Sequence, residues 1–273
     1  MYTDYWQLTK KPFESGADPD FYYPGESHQA ALLKLRYAVE SRWGGVTLTG
    51  RTGLGKSLVI QLMKRMSAGH IQPIIHVRYP RMAADELLAY IAAEVSPVGK
   101  PPQNRSVDIS VRSIERSLEE NVRNNRHAIL VIDEAHLMHE ADGLEVCRLL
   151  ANLEFNSYPG FTLVLVGQPT LLPMLDRQPG LEERVGVKCL LRPFNMEETI
   201  RYIAHRLTQA GAGRAIFDNE ALEALFHLTS GVPRQINRLC DLAMLIGFAE
   251  QLPSISAVHL ESVCNELVAV STE

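Results

Sequence analysis

One run of residues constrains this chain more than any other. Gly50-Arg51-Thr52-Gly53-Leu54-Gly55-Lys56-Ser57 fits G-x-x-x-x-G-K-[ST] at every fixed position, and Leu58 carries it into the next apolar-striped stretch. Residues 46–49 before it read as a short buried strand, and residues 57–66 after it as a helix with Val59, Ile60 and Met63 on one side. Strand, glycine-rich turn and helix in that order make a phosphate cradle. The glycines let the backbone wrap a phosphate and aim N–H groups at it, and the helix start adds the positive end of its dipole. Lys56 then reaches the β- and γ-phosphates, and the Ser57 hydroxyl binds Mg²⁺. Gly50 to Leu58 is therefore the expected binding segment for ATP or ADP with Mg²⁺.

A second constellation follows the apolar run 128–132. Asp133 and Glu134 arrive together at the end of that strand, where phosphates lie in an open parallel sheet. Asp133 suits Mg²⁺ coordination, and Glu134 suits the base that orients or deprotonates the attacking water. Asp133-Glu134-Ala135-His136 also spells a helicase box, but such helicases need two RecA-like domains and this chain has room for one. Further runs at 71–77, 162–166 and 187–191, with helices at 83–94 and around Val111, Ile114, Leu118 and Val122, predict a parallel α/β sheet. Residues 97–108, with their Pro, Gly and Asn, read as an exposed loop.

Three more residues are candidates by position. Gln168 ends the run 162–166; it either contacts the γ-phosphate or water, or caps the next helix. Arg184 precedes the fifth strand; it either reaches a neighbouring subunit's γ-phosphate as a finger, or pairs with Glu182 or Glu183. After Pro193 only helical patterns remain, and Pro233 and Arg234 open the third of them, with proline at the first turn. Arg234 points from this helical part towards the phosphates, or is an exposed helix arginine. The expected division is an irregular lead-in at 1–27, an α/β core at 28–193 and a helical lid at 194–273.

Composition weighs against several classes. A dedicated duplex-DNA binder is usually basic over the whole domain, and the net charge of -5 argues against one. A local strip remains, made of Arg78, Arg81, Arg112, Arg116 and Arg123, though Glu115, Glu119 and Glu120 share its helix. Met1 to Lys11 has no signal-peptide core, and no run of apolar residues is long enough to span a membrane. The four cysteines are scattered without a C-x-x-C pair, which suits a reducing compartment better than a zinc site.

Taken together these residues resemble the AAA+ superfamily, and most closely the ExeA (GspA) type of secretion ATPase. The likeness is carried by Met1-Tyr2, Lys11-Pro12-Phe13, Asp18-Pro19-Asp20-Phe21-Tyr22-Tyr23, Ser27-His28-Gln29-Ala30-Ala31-Leu32, Val166-Gly167-Gln168-Pro169, Tyr202-Ile203-Ala204-His205-Arg206-Leu207 and the segment from Gly231 to Asn237. The resemblance implies a P-loop NTPase fold of the AAA+/ASCE kind, with a sheet of order 5-1-4-3-2 followed by a helical lid. It implies that Gln168 is the first sensor, Arg184 the finger and Arg234 the second sensor, and that adenine contacts come from Tyr23, His28 and Tyr202. It implies an ATPase forming homo-oligomers, with a protein partner in an export or envelope-assembly system. Such proteins usually continue into a membrane span and a peptidoglycan-binding module; a sequence ending after the lid implies a stand-alone cytoplasmic ATPase without membrane insertion. The alternative is a DNA-binding transposition regulator of the TniB and TnsC kind, which shares the fold.

Overall fold

The apolar runs of the sequence pair into one parallel sheet. The computed structural model describes residues 2–14, 16–96, 106–138 and 142–270, side chains being described up to residue 266. The strands are β1 (Gly45–Thr49), β2 (Ile71–Val77), β3 (His127–Ile132), β4 (Phe161–Gly167) and β5 (Val185–Leu190). They lie in the order β2-β3-β4-β1-β5, all parallel, which is the expected 5-1-4-3-2 read from the other edge. Every residue of β1, β3 and β4 is buried, as befits central strands covered on both faces. The edge strand β5 alternates instead, and the other edge strand, β2, carries Pro73, which cannot donate to a ladder.

The helices are α1 (Glu26–Glu40), α2 (Lys56–Met66), α3 (Ala84–Val95), α4 (Val107–Arg123), α5 (Gly143–Leu150), α6 (Met196–Gln209), α7 (Asn219–Thr229), α8 (Pro233–Ala249) and α9 (Ala257–Val270). The chain forms two compact units. One comprises Ala30–Arg51 and Leu62–Leu191; the other comprises Met1–Gln29, Thr52–Gln61 and Arg192–Glu273.

The first unit holds the sheet. Its core joins Ile75, Val77, Leu130, Ile132, Leu163 and Leu165 of the strands to Leu87 and Ile91 of α3, Ile114 and Leu118 of α4, and Leu144 and Cys147 of α5. The apolar stripe expected around Val111 thus belongs to a longer helix, with Ile114 and Leu118 fully buried. A two-stranded antiparallel ribbon, Glu154–Phe155 with Tyr158–Pro159, and α5 were not expected; both are too short for periodicity to reveal. Most of the loop expected at 97–108, namely 97–105, lies outside the described residues, and α4 begins within its last two positions.

The second unit is helical, and its composition corrects one expectation. The lead-in at 1–27 was expected to be irregular, yet it carries a helical turn at Tyr2–Tyr5 and another at Pro19–Phe21. Tyr2, Trp6, Phe13 and Phe21 belong to the same core as Ile203, Leu207, Leu239 and Met244. Trp6 is fully buried and donates Nε1–H to the Met244 carbonyl at 2.9 Å. Arg206 is buried too; its Nε donates to the Pro12 carbonyl at 2.5 Å and its guanidinium lies over the Phe21 ring. The lead-in is therefore built into the helical core by aromatic anchors whose spacing follows no period. Local chemistry sets the helix starts. Asn195 and Glu198 form a reciprocal capping box on α6, Asp218 caps α7, and Pro233 occupies the first turn of α8.

The phosphate segment is divided between these groups: Gly50 and Arg51 fall in the sheet unit, Thr52 to Gln61 in the helical unit. The boundaries expected at 27/28 and 193/194 do not anticipate that the turn itself groups with the helices.

Candidate nucleotide-binding site

The turn after β1 has the conformation its glycines allow. Gly53 and Gly55 take φ of +84° and +90°, where a side chain is strained. A Cβ on Gly53 would also sit 2.9 Å from Arg234 Cβ. Lys56 opens α2 and is 6% exposed, while Ser57 is exposed and Leu58 half-buried. The Val59 N–H donates to the Gly55 carbonyl at 3.1 Å, the first bond of the helix.

Within the helical unit, residues far away in sequence grip this turn. The Arg234 N–H donates to the Gly53 carbonyl at 3.2 Å, which brings its backbone to the phosphate segment. Pro233 beside it is buried, whereas Arg234 itself is exposed. His28 is 4% exposed and its Nε2 lies 2.6 Å from the Leu54 carbonyl. Burial pulls the His28 pKa below the usual histidine range, partly offset by that hydrogen bond.

Tyr23, His28 and Tyr202 meet around Phe194, whose ring centroid lies 5.5, 5.1 and 5.1 Å from theirs. Tyr202 is buried and donates its hydroxyl to Asn237 Oδ1 at 2.7 Å. Phe194 was not among the expected site residues. Its carbonyl would lie 1.9 Å from any Cβ at Gly231, which takes φ of +68°. Glycine is thus required there, and the pairing could not be read without the fold.

In the sheet unit, Asp133 and Glu134 stand at the end of β3 and Gly50 at the end of β1, with β4 between the two strands. The Gly50 N–H donates to the Gly167 carbonyl at 3.2 Å. Glu134 takes φ of +49° and donates its N–H to Asp133 Oδ1 at 2.9 Å. Two histidines, His76 and His136, stand at this edge, and the sequence assigns neither a role there. His136 Nδ1 accepts from the Gln168 N–H at 3.3 Å. An accepting Nδ1 carries no proton, so its 3.5 Å approach to Glu134 Oε2 is not an ion pair in that state. His76, at the end of β2, accepts from Lys64 Nζ at 2.8 Å and faces Asp133 Oδ2 at 3.7 Å. Burial, then the nearby Arg78 charge, pulls the Lys64 pKa down.

Gln168 therefore shares an edge with Glu134 through His136; its carbonyl also accepts from the Leu171 N–H at 2.9 Å, at the start of the next short helix. Arg184 pairs with neither Glu182 nor Glu183. Its Nη2 donates to Asn152 Oδ1, while Glu182 pairs with Lys188 at 2.7 Å. Of the possible basic strip, Arg123 pairs with Glu119 at 2.7 Å, which fits a solvated helix face.

A glycine turn opening a helix, two carboxylates ending β3 and a 5-1-4-3-2 sheet define a P-loop α/β protein. Comparison with known proteins agrees. Residues 40–175 match the AAA domain family. The chain is 33% identical over 254 residues to general secretion pathway protein A of Aeromonas hydrophila, a match covering 91% of this chain and 45% of that protein. Among solved structures it is similar to the Aeropyrum pernix ORC2 protein in its ADPNP-ADP complexes, with a TM-score of 0.67, 16% identity, and coverage of 94% of this chain and 71% of that one. It is also similar to Drosophila ORC bound to DNA, with a TM-score of 0.70, 16% identity, and coverage of 97% and 66%. The chain belongs to the AAA-domain proteins. Within them its resemblance is to the general secretion pathway protein A type, and it spans less than half the length of that relative. Among the described residues no helix is long and apolar enough to cross a membrane.

Proposed function

We propose that this chain binds ATP with Mg²⁺ and hydrolyses it to ADP and phosphate. The observation that carries the reading is the complete phosphate segment, with Gly53 and Gly55 both at positive φ and Lys56 buried at the first residue of α2. The donors suit Mg²⁺: the Ser57 hydroxyl and the Asp133 carboxylate are hard oxygens. A magnesium ion held by one or two protein oxygens and the phosphates would neutralise charge at the reacting phosphoryl group. Glu134 takes the proton of, or orients, the attacking water; Gln168 fixes that water or the γ-phosphate. Phosphate release with ATP is expected to fall to background when EDTA is added and to return with excess Mg²⁺. Equal release with and without the chelator would remove Mg²⁺ from the reaction.

The site is completed by a second copy of the chain. Arg184 serves as the finger in trans, since one lysine does not neutralise the charge spread over the transition-state oxygens. Arg184→Ala mixed with Glu134→Gln should regain activity that neither has alone, because one brings the base and the other the arginine. A mixture as inactive as its components would place Arg184 outside the reaction. By its likeness to a secretion protein, the cycle drives or regulates assembly of an export machine at its cytoplasmic side.

A further inference from the structure

The phosphate segment owes its shape to more than its own residues. A trans peptide is planar, with its carbonyl and N–H pointing in opposite directions. Anchoring the carbonyl of one residue therefore aims the N–H of the next. Three consecutive peptides are anchored in this way. The Gly53 carbonyl accepts from the Arg234 N–H at 3.2 Å, the Leu54 carbonyl accepts from His28 at 2.6 Å, and the Gly55 carbonyl accepts from the Val59 N–H at 3.1 Å. These bonds turn the N–H groups of Leu54, Gly55 and Lys56 away from the anchors, the arrangement of a backbone anion nest. The outer two anchors are backbone groups and survive any substitution except proline. The middle one is a side chain.

We propose that His28 is the positioning residue of the phosphate segment, holding the Leu54 carbonyl so that the Gly55 N–H faces the phosphates. This rests on the ATP-binding reading above, and it replaces the adenine contact expected of His28. The geometry of the ring supports it. Nε2 faces a carbonyl, so Nε2 is the donor and Nδ1 the acceptor. Nδ1 lies 3.4 Å from Ser27 Oγ, which itself accepts from the Arg192 N–H at 3.2 Å. The imidazole is thus oriented from the segment that leads into α6, and is wedged against Phe194 at 5.1 Å. With the ring buried to 4% exposure and Nε2 committed to Leu54, its polar edge is occupied by the protein itself. The ring lies beside Gly55, 3.6 Å from where a Cβ would stand, an ordinary contact; what requires glycine there is its φ of +90°.

An adenine contact and a loop anchor differ in what they discriminate. Wild type, His28→Ala and His28→Gln are titrated calorimetrically with ATP, GTP and inorganic tripolyphosphate. Loss of one buried hydrogen bond predicts affinity about tenfold weaker in His28→Ala. That loss should be equal for all three ligands, leaving the ratio of ATP to GTP affinity at its wild-type value. His28→Gln, whose amide N–H can reach the same carbonyl, should recover part of the loss; thermal unfolding without ligand checks that each variant is folded. If tripolyphosphate binds His28→Ala as it binds wild type while ATP alone weakens, His28 is an adenine contact and the proposal is overturned. Unchanged affinity for every ligand overturns it as well, and so does His28→Gln as weak as His28→Ala in a folded protein. A wild type that binds no nucleotide overturns the ATP reading first, and this role with it.

Discussion

Glu134→Gln is expected to bind ATP as wild type does and to turn it over on the order of a hundredfold more slowly, the usual contribution of a positioned base. The substitution is nearly isosteric, so it leaves the turn after β3 in place. The Glu134 N–H, which donates to Asp133 Oδ1 at 2.9 Å, belongs to the backbone and is kept. The carboxylate oxygen lost lies 3.5 Å from His136 Nδ1, a ring already accepting from Gln168, so no ion pair breaks with it. The change therefore isolates proton acceptance from binding. Single-turnover phosphate release, set beside equilibrium ATP titration, reads the two separately. Equal turnover in variant and wild type would mean that another group handles the water.

How far the sequence carries the account differs from feature to feature. The phosphate segment is legible because its chemistry is local: the glycines, Lys56 and Ser57 are contiguous, and a strand and a helix flank them. Asp133 and Glu134 are legible for the same reason, as polar residues ending an unbroken apolar run that becomes β3. The sheet order came through resemblance, since strand pairing is a matter of contacts distant in the chain. The lead-in was misread because Trp6, Phe13 and Phe21 anchor it with irregular spacing, and a periodicity argument sees only regular stripes. His28 was placed near the nucleotide by resemblance, but its partner, the Leu54 carbonyl, is a backbone atom and leaves no mark in the sequence. Phe194 went unnoticed because its requirement is expressed elsewhere, in the glycine at 231. The contacts of His76 and His136 appear only once β2, β3 and β4 bring their ends to one edge.

Lys56→Ala tests the central claim, that Gly50 to Ser57 is where ATP binds. Lys56 is 6% exposed at the first position of α2, and alanine is the best helix former, so the fold tolerates the change. What disappears is a buried ammonium placed to meet the β- and γ-phosphates, and a hydrogen bond to a charged group is among the stronger single contacts a protein makes. Affinity should fall about a hundredfold for ATP, with thermal unfolding in the absence of nucleotide checking that the variant is folded. The direct measurement is a calorimetric titration of wild type and Lys56→Ala side by side with ATP and Mg²⁺. One saturable site in wild type, and binding about a hundredfold weaker in the variant, is the predicted result. Equal affinity in the two proteins would contradict it and place the nucleotide elsewhere.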